Sequence, residues 1–122
     1  MAIKSTAKLV EEFAACVVAQ TEQIERGDSR LGNVYAKRYL RAFNDLRRRG
    51  DAGRDALAVL LDDPRMDVRE MAAAFLLRHR YRQCRELLEE IASGPPSLFA
   101  LGAAECLARW DEGSWQLDPP DG

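Results

Sequence analysis

Apolar residues recur every three or four positions along most of the chain, which is the spacing of one face of an α-helix. The first stripe follows a candidate cap, Ser5 or Thr6, and predicts a helix that ends near Arg26. The second stripe predicts a helix that starts near Leu31 and ends at Gly50, where glycine can adopt the left-handed conformation. No segment alternates apolar and polar residues as a half-buried strand does, so the pattern predicts an all-α fold.

Proline and glycine divide the rest of the chain into four shorter helices. The first of these, capped by Asp51, is expected to stop before Pro64, because the residue preceding proline is pushed out of helical geometry. The other three are expected at residues 66–77, 82–92 and 97–110. After them comes a tail, residues 111–122, which Trp115 and Leu117 are expected to fasten to the last helices.

The second half of the chain matches itself after a shift of 31 residues, which places Pro64 on Pro95 and Leu76 on Leu107. Equal spacing of a helix stop and of apolar anchors is what stacked helix hairpins require. We therefore expect one domain over residues 1–122, built as an α-α superhelix of three antiparallel helix pairs. Its parts are a capping pair at 1–50, repeats at 51–80 and 82–110, and the tail at 111–122.

The corner of the first repeat reads Leu60-Leu61-Asp62-Asp63-Pro64, followed by Asp67-Val68-Arg69. This stretch resembles the short HEAT-like repeat, in which leucines end the first helix, an Asp-Pro turn follows, and Val-Arg opens the second helix. The ending Trp110-Asp111-Glu112-Gly113 is similar to that of a bacterial family of short HEAT-like proteins described as a domain of unknown function. The resemblance implies a HEAT/armadillo-like fold and does not indicate any particular activity.

The acidic side chains of this corner, Asp62, Asp63, Asp67 and Glu70, suggest either a metal or acid-base site or a structural turn. The turn is favoured, because a calcium loop needs alternating oxygen ligands around a glycine and Pro64 interrupts that register. Asp67 is expected to complement the helix dipole, and Arg69 to reach acceptors such as Asp62 or Asp63. The predicted structural turn residues are Asp62, Asp63, Pro64, Asp67 and Arg69.

Motifs for catalysis or cofactor binding are missing from the sequence. His79 has no second histidine for a metal, and Gly50-x-x-Gly53 lacks the lysine and the preceding strand of a phosphate loop. We therefore expect no catalytic residue, no metal, no cofactor and no enzymatic activity.

The composition, 47% hydrophobic and 31% charged, is typical of a folded protein rather than a disordered one. The apolar run FAACVVA has seven residues, whereas a membrane span needs about 20. The three cysteines are odd in number and form no Cys-x-x-Cys pair, which favours buried thiols in a reducing compartment. We expect a cytoplasmic protein that does not enter a membrane.

Charge is unevenly distributed along the chain: residues 37–85 carry 13 basic and seven acidic side chains, and residues 86–122 carry one and eight. The basic part is the candidate partner-binding region, because clustered charge attracts ions of opposite sign. Its alternative is a solvated surface, or pairing with acids such as Glu86, Glu89 and Glu90. The candidate binding residues are Lys37, Arg41 and Arg48 on the second helix and Arg78, Arg82 and Arg85 near a helix turn.

These features predict a non-catalytic protein–protein interaction module, a scaffold, adaptor or inhibitor, whose partner the sequence does not identify. The alternative is a nucleic-acid-binding module that uses the Arg-rich middle of the chain. That alternative is less favoured, because the end of the chain is acidic and few aromatic side chains are available for stacking. Tyr39 and Tyr81 are expected to lie in the core.

Overall fold

The computed structural model describes residues 3–120. Within this range there are six α-helices and a short 3₁₀ helix but no strand, which confirms the all-α prediction. The helices are α1 Thr6–Glu25, α2 Ser29–Arg48, α3 Asp51–Leu57, the 3₁₀ helix Ala58–Asp62, α4 Met66–Phe75, α5 Tyr81–Ala92 and α6 Leu98–Glu112.

The chain groups into two compact units, the first ending at Leu60 and the second beginning at Leu61. The first unit contains α1, α2 and α3, and the second contains α4, α5, α6 and the tail. The single domain and the three-pair superhelix stay predictions.

In the first unit, α1 and α2 form a helical hairpin, because three residues join them and they contact each other along their length. Phe13 and Phe43 are completely buried in its core. The Phe13 and Tyr39 ring centroids lie 5.5 Å apart, and the Tyr39 hydroxyl donates to Gln20 Oε1 at 3.1 Å. The predicted cap is confirmed, since Ser5 Oγ accepts from the Lys8 amide.

The start of α3 differs from the prediction. Gly50, not Asp51, is the N-cap, with φ of 73° and no side-chain cap. Asp51 is the first helical residue and pairs with Arg54 at 3.2 Å. Gly53 lies so close to the Leu46 carbonyl that a Cβ would overlap it. Glycine is therefore selected at position 53 by the close approach to Leu46, and at position 50 by the positive φ.

In the second unit, α4, α5 and α6 all contact one another around a core that includes Leu76, Cys84, Leu88 and Ala103. Helix α4 ends at Phe75, two residues before the predicted end. Five residues in turn conformation, 76–80, connect it to α5.

The prediction for Tyr81 is wrong, because this side chain was expected in the core but is 42% exposed. It is the first residue of α5, where its ring lies 5.2 Å from that of Trp110. Its hydroxyl accepts from Arg85 Nη1 at 3.2 Å. Tyr39, in contrast, is buried as predicted.

Polar contacts made by Trp115 and Asp118 fasten the tail to the rest of the second unit. The Trp115 indole N–H donates to the Ala74 carbonyl at 3.0 Å, which confirms Trp115 as an anchor. Asp118 is fully buried, and its carbonyl accepts from Arg78 Nε at 2.8 Å. Leu117 is half-buried. Residues 121 and 122 of the predicted tail lie outside the described range.

All three cysteines are free thiols, of which Cys16 and Cys84 are buried and Cys106 is half-buried. Among the helices of residues 3–120, none has both the length and the apolar character that a membrane crossing requires.

Candidate functional site

The acidic corner, residues 62–70, is held together by hydrogen bonds among its own residues. Arg69 Nη1 donates to the carbonyls of Asp63, at 2.8 Å, and Pro64, at 3.0 Å. Arg69 thus reaches Asp63 as expected, through the peptide oxygen rather than the carboxylate. Asp67 is buried in the first turn of α4 and accepts from Arg65 Nε and Nη2 at 3.0 Å each. The part of the chain that the structure describes contains no cluster of three metal-ligating side chains.

The predicted basic residues of the second helix all lie exposed on α2. Lys37, Arg41 and Arg48 are spaced four and seven residues apart, which places them on one side of the helix. Arg30, seven residues before Lys37, extends the same side and is also exposed. The sequence interpretation missed Arg30, although its spacing was a visible signal.

Three of these cations are not neutralised by any of the described residues. Within residues 3–120, Arg30, Lys37 and Arg41 form no ion pair or hydrogen bond. Val34 and Leu40, three positions on either side of Lys37, are 48% and 40% exposed. We call Arg30, Val34, Lys37, Leu40 and Arg41 the α2 surface. Arg48 lies beyond it and pairs with Asp45 at 2.9 Å.

The predicted basic residues of the second unit differ from those of the α2 surface, because two of the three pair with acidic side chains. Arg85 makes a bidentate pair with Asp111, at 2.7 and 3.1 Å, which raises the pKa of Arg85 and lowers the pKa of Asp111. Arg78 holds the tail through Asp118, and its Nη2 lies 3.4 Å from that carboxylate. Arg82 is exposed and has no partner among the described residues. Arg78 and Arg85 thus pair with acids of the protein itself, but mainly with Asp118 and Asp111 rather than with the predicted glutamates; of those, only Glu89 lies within 3.9 Å of Arg85 Nε among the described residues.

A cavity of about 490 Å³ lies in the second unit, beside the tail. Its wall includes Ala74 of α4, Gly102 and Cys106 of α6, and Trp115 of the tail. The other lining residues are Glu105, Arg109, Ser114, Gln116 and Leu117. Arg109 Nη2 and Glu105 Oε1 form an ion pair of 2.6 Å at this wall, so their charges largely cancel.

Glu70, on α4, lies next to the cavity wall. It is 7% exposed, and a Cβ placed on Gly102 would overlap its Oε1. Burial, with a smaller contribution from the charge of Asp67, raises the pKa of Glu70 to about 7. The pKa of Cys106 rises to about 11, first through burial and then through the charge of Glu70. The sequence interpretation grouped Glu70 with the acidic corner, because it could not show that α6 covers this side chain.

Residues 7–111 match the model of a family described as "Domain of unknown function (DUF2019)". The chain belongs to this family. The match extends from α1 into α6, so it includes residues of both compact units. No curated protein and no solved structure matches the chain. The family description assigns no activity or ligand, and the HEAT-like character of the repeats stays a prediction.

Proposed function

We propose that this DUF2019 protein is a non-catalytic protein–protein interaction module, acting as a scaffold, adaptor or inhibitor, and that its α2 surface binds an acidic surface of a protein partner. The observation that carries the proposal is the exposure of Arg30, Lys37 and Arg41 without internal counter-ions, beside exposed Val34 and Leu40.

The α2 surface combines two contributions to binding. From Arg30 to Arg41 it extends about 16 Å along the helix, at about 1.5 Å per residue. A row of cations of this length attracts acidic surfaces and selects against basic ones. Val34 and Leu40 add exposed apolar area, and burying this area against a folded partner is favourable, whereas leaving it in water is not. The mixed apolar and basic character of the α2 surface therefore favours a role in binding a protein over a surface that only faces solvent.

We also propose that α3 with α4, and α5 with α6, are HEAT-like repeats. The 31-residue self-match supports this, as does the position of α4 and α6, which begin shortly after the matching residues Pro64 and Pro95. A cytoplasmic location is proposed as well, and the three free cysteines are in keeping with a reducing compartment.

Nucleic-acid binding is the second candidate function, because the same unpaired cations would also attract phosphates. Against it, the α2 surface carries no exposed aromatic side chain on which a base could stack. Arg38, which lies near this surface, is placed 5.6 Å from the Tyr35 ring centroid, and Tyr35 is half-buried.

Affinity capture from the native cell, followed by quantitative mass spectrometry, tests the proposal with two variants of equal charge. The first combines Arg30→Glu, Lys37→Glu and Arg41→Glu. The control combines Lys8→Glu, Arg26→Glu and Arg82→Glu, three exposed cations outside the α2 surface. Each capture is repeated after nuclease treatment.

The proposal expects proteins that the wild type and the control retain after nuclease treatment and that the α2 variant loses by about tenfold or more, since several charge contacts change sign. Retention that nuclease abolishes, together with salt-sensitive binding of duplex DNA by the purified protein, would identify the second candidate instead. Equal capture by all three proteins would contradict both.

A further inference from the structure

The Glu70 carboxylate is buried without a protein partner. In residues 3–120 no hydrogen-bond donor or cation contacts it, although only 7% of the residue is exposed. Burying an ionised carboxylate without a partner is costly, so such a group either takes up a proton or acquires a counter-ion. The buried position of Glu70 therefore raises the question of which cation approaches its carboxylate.

Solvent still reaches this carboxylate. Every side-chain nitrogen or oxygen that is fully shielded within the described residues has a hydrogen-bond partner. The unpaired oxygens of Glu70 therefore keep some contact with solvent. Gly102 lies against Oε1 and also lines the cavity, and as a glycine it places no side chain over this oxygen.

Glu70 itself lies behind the cavity wall, next to lining residues of both helices. Ala74, one turn after Glu70 on α4, lines the cavity, and so does Cys106, one turn after Gly102 on α6. Trp115 forms the third side, and its hydrogen bond to Ala74 holds the indole in place. The cavity is therefore lined by a fixed aromatic ring and an open glycine position, and the buried acid lies directly behind that glycine.

We propose that this cavity binds an alkyl ammonium group, with the Glu70 carboxylate as its counter-ion and the Trp115 indole as its aromatic wall. The inference is independent of the α2 surface, which lies in the other unit. Carboxylate and indole are the two side chains that most favour an ammonium group, through charge and through the negative face of the ring.

Other ligand classes fit the cavity less well. A metal ion needs several oxygen, nitrogen or sulfur ligands, and the described residues contain no such group. An anion would be repelled by Glu70, and Arg109, the one cation of the wall, is already paired with Glu105. At about 490 Å³ the cavity is of the size that small organic ligands use. The ammonium group is carried either by a free amine or by a lysine side chain of another protein.

Nuclear magnetic resonance of the Trp115 indole N–H tests the proposal, with n-butylammonium as the probe and n-butanol as its neutral counterpart. The ammonium ion is expected to shift this resonance with millimolar affinity, as suits so small a ligand, and n-butanol to bind at least about fivefold more weakly. Because the pKa of Glu70 is about 7 and only its ionised form attracts the cation, affinity should fall about tenfold between pH 8 and pH 6.

Variants assign the effect to Glu70. Glu70→Gln keeps the shape of the side chain and removes its charge. It should weaken n-butylammonium binding at least about fivefold and abolish the pH dependence of that binding. The other titratable groups near Glu70, namely Asp67 and Cys106, remain unchanged in this variant. Glu90→Gln removes an exposed carboxylate of α5 and should bind as the wild type does. Thermal unfolding of each variant checks that it is folded.

The peptide acetyl-Gly-Lys-Gly-amide distinguishes the two sources of the ammonium group. Tighter binding of the peptide indicates a protein lysine, and tighter binding of n-butylammonium indicates a free amine; either result supports the assignment. Equal binding by wild type and Glu70→Gln, or equal binding of n-butanol and n-butylammonium, would overturn it.

Discussion

Glu70 couples the stability of the second unit to pH near neutrality. Burial disfavours its charged form, so the folded protein holds the proton more tightly than the unfolded chain does. The sign follows from linkage: the stabilisation is fully present below the unfolded pKa of 4.5 and is lost as pH rises through about 7. The difference between these values corresponds to roughly 3 kcal/mol.

We expect the free energy of unfolding of the wild type to fall by roughly this amount between about pH 5 and pH 8, and Glu70→Gln to lose most of that dependence. Above pH 7 the Gln variant should be the more stable protein, because it does not bury a charge. Urea denaturation at several pH values measures both effects, with Glu90→Gln as the control. Parallel pH profiles for wild type and Glu70→Gln would show that the carboxylate is not buried in solution.

At the scale of single elements, one local helix cap was visible in the sequence. Ser5 was a candidate, because a short polar side chain before an apolar stripe satisfies free backbone N–H groups, whereas Asp28, the N-cap of α2, was not predicted. The predicted start of α3 was wrong, since Gly50, with φ of 73°, is the N-cap and the Asp51 carboxylate pairs with Arg54 instead. The apolar periodicity does not encode the backbone conformation at that turn.

The N-cap of α6 provides a direct test of this local contribution. Ser97 Oγ accepts from the Ala100 amide at 3.0 Å. Replacing Ser97 by Ala should lower the free energy of unfolding by about 1 kcal/mol, because that amide then loses its acceptor. Ser97→Asp should retain most of the stability, as it supplies both an acceptor and a negative charge at the helix start. Chemical denaturation of the three proteins gives the comparison; equal stability of wild type and the Ala variant would contradict it.

At the scale of the whole molecule, the run of basic residues in the sequence does not form a single functional class. Lys37 and Arg41 belong to the first unit and have no partner among residues 3–120, whereas Arg78 and Arg85 belong to the second and bind Asp118 and Asp111. The sequence indicated the excess of charge and the side of α2 that carries it. It could not indicate the pairing, because acids distant in the sequence approach these arginines only after folding.

The three thiols report on the two units of the native protein. Cys106 is half-buried and should react first with iodoacetamide, while the buried Cys16 and Cys84 react only when their units open. Because the pKa of Cys106 is raised to about 11, its reaction should be slow at neutral pH and accelerate as pH rises toward that value. Peptide mass spectrometry after timed labelling measures each site. Faster labelling of Cys84 than of Cys106 in the native protein would contradict the structure.

The edge-on contact of Trp110 and Trp115, whose centroids are 5.2 Å apart, has a spectroscopic consequence. These are the chain's two tryptophans, and both belong to the second unit. Light absorbed by indole but not by phenol will therefore excite only that half of the protein. Emission recorded during unfolding then follows the second unit alone, without attaching a dye.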